Sequence, residues 1–292
     1  MRTLYKKIFS FFLLLLFCSN IFAGVIKIVA AENFYGVLAK EIGGNYVAVT
    51  SIMHNPNQDP HLFSSNWSTA KAIAEADIIV YNGLGYDSWI TNLINANGNE
   101  ENKKILIVAD LIGKRVGANP HIWYDPNTML IYANELTTQL SELDPTHKKY
   151  YQNQLSIWQN QSERLEKKIK NLKKHYQDMP VIATEPVFNY MALALGLRVY
   201  GDGFQLSIMN DTEPSISDIK DFTNKLKQLE VKGLIYNKQV TNPLTLHMQN
   251  LAKQFGIPVF GVSELQPVGQ DYFAWMNAQV DNLQKTLVIA SS

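Results

Sequence analysis

The sequence is poor in cysteine. Cys18 is the only one among 292 residues, and it lies within the first 23 residues. A mature chain without that segment would have no thiol and no disulfide. A secreted domain of this size buries enough apolar surface to fold without cross-links, so a disulfide-stapled scaffold is excluded.

The sequence also has no excess of charge of either sign, because 26 basic residues are balanced by 26 acidic ones. The first 23 residues carry three basic residues and no acidic one, so the rest has 23 basic against 26 acidic residues, a formal charge of −3. No basic stripe or arginine-rich run is present. This composition argues against nucleic acid as a partner.

Long apolar runs are missing after residue 23, so no segment there reaches the roughly 20 residues of a spanning helix. Residues 1–23 combine a basic start, "MRTLYKK", a short apolar core, "IFSFFLLLLF", and a small residue at the end of "SNIFA". This pattern predicts an export signal cleaved after Ala23 and a periplasmic location. The alternative is a lipid anchor at the cell surface through Cys18, although Phe17 stands where lipoprotein signals usually carry a small residue.

What is present is an alternation of strand and helix patterns. "VIKIVAA" and "VAVTSIM" are typical of strands, "FYGVLAKEIGG" between them is typical of a helix, and "KKILIVAD" is a further strand. Strands that alternate with helices at this spacing predict an α/β fold with a parallel sheet.

One long helix interrupts this alternation. Asp144 is a suitable cap, Pro145 suits the first helical position, and Pro180 ends the run. The helix would span about 33 residues, or about 50 Å. A dimeric coiled coil is the alternative, but Ser162 interrupts the seam, so we expect a rigid strut inside a monomer. Its apolar face consists of Tyr151, Leu155, Trp158, Ser162, Leu165, Ile169, Leu172 and Tyr176.

The second half of the chain repeats the first. "VAAENFYGVLAKEIGG" aligns without a gap with "IATEPVFNYMALALGL", which pairs Glu32 with Glu185, and "ADIIVYNGLGYD" is echoed by "VKGLIYNKQVTN". The repeat predicts two α/β lobes. The expected organisation is a signal at 1–23, an N-terminal lobe at 24–143, a connecting helix at 144–177 and a C-terminal lobe at 178–292.

Two histidines follow prolines in loops after strands, His61 in "QDPHLF" and His121 in "NPHIWYDP". Ligands of open α/β sheets bind beyond the carboxyl ends of the strands. Proline restricts the backbone and hence the direction of each imidazole, which suits a metal ligand. Asp59 could hold the other ring nitrogen of His61. A solvated loop histidine is the alternative for either position alone.

Glu185 follows the strand "PVIAT" and is the third candidate. It could instead interact with the dipole of the helix that starts at Pro186. A carboxylate that faces two neutral histidines is, however, a recognisable first-row metal site. The remaining histidines lack this context: His54 is a weak alternate, and exposed positions are expected for His147, His175 and His247.

Six motifs in order, "QDPHLF", "AKAIAEADIIVYNG", "NPHIWYDP", "ATEPVFNYMALALGL", "NDTEPSISDI" and "IPVFGVSE", span most of the mature chain. Together they resemble the solute-binding proteins of zinc and manganese ABC transporters. The resemblance implies two Rossmann-like lobes joined by one long rigid helix, with a metal in the cleft between them. It also implies delivery of that metal to a membrane permease of an ABC transporter.

The resemblance also carries over the ligand positions. His61 matches the first family ligand, His121 the second, and Glu185 the third, where members have histidine or glutamate. Many members have an aspartate at the fourth position, where this chain reads "FGVSELQP". Glu264 is the expected fourth ligand, with Glu32 or water as the alternatives.

The metal itself is left open between Zn²⁺ and Mn²⁺. The histidine-rich loop of many zinc-specific members is absent, since no histidine lies between Gly83 and Pro120, yet mixed nitrogen and oxygen ligands suit both ions. No HExxH helix, nucleophile elbow or P-loop is present, so we expect no enzyme. The alternatives are a metal-dependent hydrolase, with Glu32 as its only plausible base, and an adhesin or surface protein with a structural metal.

Overall fold

Two parallel four-stranded sheets form the centres of two α/β lobes. The computed structural model describes residues 24–55, 63, 65–97, 103–240 and 242–289. The predicted export signal and Cys18 lie outside the described residues. Within the described part of the chain, no helix is both long enough and apolar enough to cross a membrane.

The first sheet contains β1 Ile26–Glu32, β2 Val47–Met53, β3 Ile78–Tyr81 and β4 Lys104–Ile107, and the second contains β5 Pro180–Ala183, β6 Arg198–Tyr200, β7 Leu234–Asn237 and β8 Val259–Val262. The helices are α1 Asn33–Gly43, α2 Trp67–Glu75, α3 Ser88–Asn97, α4 Val108–Leu111, α5 Thr128–Leu143, α6 Lys148–Tyr176, α7 Asn189–Ala194, α8 Asp202–Met209, α9 Ile216–Lys227, α10 Pro243–Gln254 and α11 Tyr272–Ile289. The predicted α/β class is confirmed.

The two sheets have the same topology. The strand order is β2-β1-β3-β4 in the first and β6-β5-β7-β8 in the second, and all neighbours are parallel. In each sheet the second strand is added on one side of the first strand, and the third and fourth strands are added on the other side. The order of strand addition therefore reverses between β1 and β3 and between β5 and β7. Such switch points are where open α/β sheets bind ligands. The repeat inferred from the sequence is thus visible as two copies of one strand order.

The connecting helix is α6, with 29 residues from Lys148 to Tyr176. It is shorter than predicted, because Pro145–His147 form a separate 3₁₀ turn. The Asp144 carboxylate does not cap backbone N–H groups; it accepts hydrogen bonds from the ring of His147 (2.6 Å) and the hydroxyl of Tyr151 (2.8 Å). The predicted apolar face is confirmed: six of its residues are buried, and Leu155 and Ser162 are half-buried.

The pattern "KKILIVAD" was predicted to be one strand, and the structure corrects its end. β4 stops at Ile107, and the next four residues form the short helix α4. The backbone N–H of Ala109 donates to the carbonyl of Asn82, which turns the chain away from the sheet toward the loop that carries His121.

A continuous core joins the lobes. Trp275 of α11 lies 5.9 Å from Phe34 of α1 and 5.6 Å from Tyr124, measured between ring centroids. Trp158 of α6 packs on Phe273 at 4.3 Å. Large aromatic side chains contribute most to such burial, so these contacts hold the long helix and both lobes in one packed unit.

Candidate metal centre

His121, Glu185 and Glu264 lie at the carboxyl ends of the sheets and are almost fully buried, with exposures of 0%, 3% and 0%. His121 follows the loop after α4, Glu185 follows β5, and Glu264 lies two residues beyond the end of β8. His61 falls in residues 56–62, outside the described residues, and its role as a ligand stays a prediction.

His121 and Glu264 approach each other across the cleft. Nε2 of His121 lies 3.9 Å from Oε2 of Glu264. The nitrogen belongs to the N-terminal lobe and the oxygen to the C-terminal lobe. Histidine nitrogen and glutamate oxygen are both common ligand atoms for zinc.

Asn119 fixes the orientation of the His121 ring. Its Nδ2 donates a 2.7 Å hydrogen bond to the carbonyl of Pro186, which can only accept. Its Oδ1 therefore faces His121 and accepts from both the backbone N–H (3.1 Å) and Nδ1 (2.7 Å). Nδ1 is the donor in this arrangement, so in the neutral form of the ring Nε2 carries the lone pair that a metal ion would take.

Both carboxylate oxygens of Glu264 accept hydrogen bonds. The hydroxyl of Tyr86 donates to Oε2 (2.7 Å), and the side-chain amide of Asn237 donates to Oε1. The backbone N–H of Glu264 donates to Oε1 of Gln239. The side chain is thus held from the N-terminal lobe and from its own lobe at once, with Oε2 directed toward His121.

Glu185 is tied to the same amide. Nδ2 of Asn237 donates a 2.7 Å hydrogen bond to Oε2 of Glu185. The two carboxylates are therefore brought together through one donor. Among the described residues, no group of three or more His, Cys, Asp or Glu side chains lies close enough together to hold a metal ion.

A family model described as "ZnuA: Zinc-uptake complex component A periplasmic" matches residues 28–286. The chain belongs to this family. The resemblance inferred from the motifs is confirmed, and the family description places its members in the periplasm and in zinc uptake. Members of this family are solute-binding components of ABC transporters, and two matching relatives have such names.

The metal ABC transporter substrate-binding lipoprotein SloC of Streptococcus mutans is 27% identical over 285 residues, which cover 90% of this chain and 90% of that protein. The manganese ABC transporter substrate-binding lipoprotein PsaA of Streptococcus anginosus is 25% identical over 285 residues, or 90% of this chain and 89% of that protein. The periplasmic zinc binding protein TroA from Treponema pallidum matches with a TM-score of 0.76 at 16% identity over 90% of this chain and 99% of that chain. The two-lobe fold with a linking helix is shared with TroA.

Glu32, the alternative fourth ligand, is paired with a second acid. Burial and the neighbouring charge of Asp87 raise the pKa of Glu32 well above its usual range. Burial raises the pKa of Asp87 to about 6, against the hydrogen bonds that its carboxylate accepts from the backbone N–H groups of Asn82 and Gly83. Glu32 therefore holds its proton to higher pH than an exposed glutamate does.

Four further histidines lie within the described residues. His54, His175 and His247 are exposed, as expected for the last two. The expectation for His147 was wrong: it is half-buried, stacks on Tyr46 with 3.6 Å between ring centroids and bonds to Asp144.

Sequence reasoning missed three polar residues of the site, Tyr86, Asn119 and Asn237. None belongs to a periodic pattern. The one available signal was position, since Asn119 lies two residues before His121 and Asn237 ends a strand of the repeat.

Proposed function

We propose that this chain binds one Zn²⁺ or Mn²⁺ ion in the periplasm and delivers it to the membrane permease of an ABC transporter. The observation that carries the proposal is the meeting of His121 and Glu264 from opposite lobes, inside a chain whose family takes up zinc. A cargo site between lobes can be opened by a small relative movement, because that movement lengthens several bonds at once.

The proposed ligands are His61 and His121 from the N-terminal lobe and Glu185 and Glu264 from the C-terminal lobe. His121 and Glu264 are oriented by fixed hydrogen bonds, and Glu185 shares a donor with Glu264. Such preorganised ligands lower the ordering cost of binding. His61 would close the site from the segment 56–62.

Both the donor set and the relatives are compatible with either metal. Nitrogen and carboxylate ligands suit both ions, and the names of the two metal-specified relatives are split, manganese for PsaA and zinc for TroA. We propose further that the chain acts as a monomer, has no enzymatic activity and does not bind nucleic acid. The burial of the apolar face of α6 within the chain supports a monomer. The sequence carries no HExxH, nucleophile-elbow or P-loop pattern, and its charges are balanced, which supports the other two proposals.

The test is metal-induced stabilisation of the full mature chain. A ligand at 100 times its dissociation constant stabilises a protein by about 2.7 kcal/mol, so thermal melts with Zn²⁺ or Mn²⁺ should shift clearly. His61→Ala, His121→Ala and Glu185→Gln should each reduce the shift. His175→Ala changes an exposed histidine and is the matched control that should keep it.

Persistence of the full shift in all three ligand variants would contradict the proposed site. Chelator-treated protein should still melt cooperatively, because a transport component must survive without its cargo. Unfolding in chelator alone would instead support the structural metal of an adhesin.

A further inference from the structure

Asn237 lies between two of the proposed ligands, and its side-chain nitrogen donates a hydrogen bond to each of them. Its Nδ2 donates to Oε2 of Glu185 at 2.7 Å and to Oε1 of Glu264. All three residues are buried, with exposures of 3% for Asn237, 3% for Glu185 and 0% for Glu264.

The sheet topology places Asn237 there. β7 lies between β5 and β8 in the second sheet, and Asn237 is its last residue. Ala183 of β5 is level with Ile235 of β7, so Glu185, two residues further on, is level with Asn237. On the other side Asn237 is paired with Val262, two residues before Glu264. A residue at this point is flanked by both carboxylates.

The amide is itself held in place. The backbone N–H of Gln239 donates a 3.0 Å hydrogen bond to Oδ1 of Asn237, which fixes Oδ1 as the acceptor and turns Nδ2 toward the two glutamates. The side chain of Gln239 accepts from the backbone N–H groups of Glu264 and, at 3.2 Å, of Leu265. The turn after β7 therefore braces both the amide and the backbone of one ligand.

Two buried carboxylates that approach each other repel and lose their hydration, and a shared donor offsets both costs. A donor between them also sets their separation before any cation arrives. Hydrogen-bonding partners of ligands in metal sites commonly act in this way, and their loss typically lowers metal affinity by about 10–100-fold.

We propose that Asn237 is the positioning residue of the cargo site: it holds Glu185 and Glu264 at the spacing that the metal requires while the site is empty and orients both when it is filled. The inference rests on the proposed function, because it assigns the arrangement of that same ligand pair. Asn237 donates through N–H and is a positioning residue, not a ligand.

The test compares Asn237→Ala and Asn237→Leu with the unaltered protein. Leucine fills the space of the asparagine but has no hydrogen-bond donor. The leucine variant therefore provides a folded protein for the measurement if the alanine variant unfolds. Binding of Mn²⁺ and Zn²⁺ is measured by calorimetry, and the frozen-solution electron paramagnetic resonance spectrum of bound Mn²⁺ reports the arrangement of its ligands. Both variants should bind each metal about 10–100-fold more weakly and show an altered Mn²⁺ spectrum.

Asn242→Ala is the matched control. Asn242 lies in the same lobe, and its side chain caps α10 by accepting from the backbone N–H of Leu244. Its loss destabilises the lobe but should leave metal affinity and the Mn²⁺ spectrum unchanged. A purely structural role for Asn237 would produce the same result as this control.

Unchanged affinity and an unchanged Mn²⁺ spectrum in both Asn237 variants would overturn the inference, provided that Glu185→Gln and Glu264→Gln lose binding. If those two glutamine variants and His121→Ala all bind metal normally, the proposed site itself is wrong. The two failures are thus distinguishable in one series.

Discussion

Tyr86 and Glu264 belong to different lobes and meet in the cleft, where the tyrosine hydroxyl donates a 2.7 Å hydrogen bond to Oε2 of the glutamate. The same oxygen lies 3.9 Å from Nε2 of His121. The atom expected to bind the cargo is therefore also the atom through which the lobes are linked.

Tyr86→Phe removes this link and should destabilise the metal-free protein by about 1.5–3 kcal/mol, the range for hydrogen bonds to charged groups. A cation on Oε2 weakens the same hydrogen bond, so the metal-loaded protein should lose less. The stabilisation produced by metal should consequently be larger in the variant. Thermal melts with and without Zn²⁺ measure both effects.

Tyr132→Phe is the control, because it removes a hydroxyl that donates to the carbonyl of Tyr35. It should lower the melting temperatures of the metal-free and the metal-loaded protein equally. The same equal lowering in Tyr86→Phe would count against the link between Tyr86 and Glu264.

Asn119→Ala removes the acceptor that holds the His121 ring and should weaken metal binding by about 10–100-fold. Asn119→Asp retains an oxygen for Nδ1 while losing the donor to Pro186. It should therefore recover part of the affinity lost in the alanine variant. Calorimetric titration with Mn²⁺ compares the three proteins, and equal losses in both variants would mean that orientation of the ring is not the role of Asn119.

The paired acids Glu32 and Asp87 should make the metal-free protein less stable as pH rises. Their pKa values are higher in the folded state than in the unfolded chain, so the folded protein holds more protons above about pH 4. The free energy of unfolding then falls, by up to about 1.4 kcal/mol per pH unit for each proton. For Asp87 the fall occurs between about pH 4 and about pH 6, and Glu32 adds to it in the interval between its unfolded and its raised folded pKa.

Glu32→Gln removes one of the two buried acids. The free energy of unfolding should then depend less steeply on pH and should be higher at neutral pH. Chemical denaturation at several pH values between 4 and 8 provides the measurement. Glu213→Gln, at an exposed position, should reproduce the unaltered protein. A steeper fall in Glu32→Gln than in the unaltered protein would refute the assignment.

Metal loading should move the lobes only slightly. The cleft is spanned by paired hydrogen bonds between Asn33 and the backbone of Gln266, at 2.7 and 3.1 Å, and by the aromatic contacts of Trp275. Solution scattering of metal-free and metal-loaded protein should give closely similar radii of gyration. A contraction on loading of the size seen in hinge-bending binders would contradict this expectation.

The architecture could be predicted because it depends on periodic apolar patterns. β2 has the predicted bounds, Val47–Met53, and the apolar face of α6 follows from its spacing. The start of α6 could not be predicted, since the hydrogen bonds of Asp144 go to the side chains of His147 and Tyr151 rather than to the backbone. The end of β4 likewise coincides with a long-range contact, the hydrogen bond from the backbone N–H of Ala109 to the carbonyl of Asn82.

The candidate site could be predicted in part for a similar reason. His121 follows a proline, and Glu185 follows β5 and precedes a proline, so this local context can be read from the sequence. Asn237 and Tyr86 act through neighbours that are 52 and 178 residues away in the chain, and the position of Asn237 at the end of a strand does not by itself indicate these partners. Their roles depend on how the sheets and lobes come together.

The C-terminal helix α11 has a consequence for the order in which the protein acquires its structure. Trp275 packs on Phe34, and the hydroxyl of Tyr272 donates to the carbonyl of Trp123. The core of the first lobe is therefore completed by a helix that lies 149 residues beyond Trp123 in the chain. Because domains fold as units, we expect the first lobe to reach its native packing only together with α11.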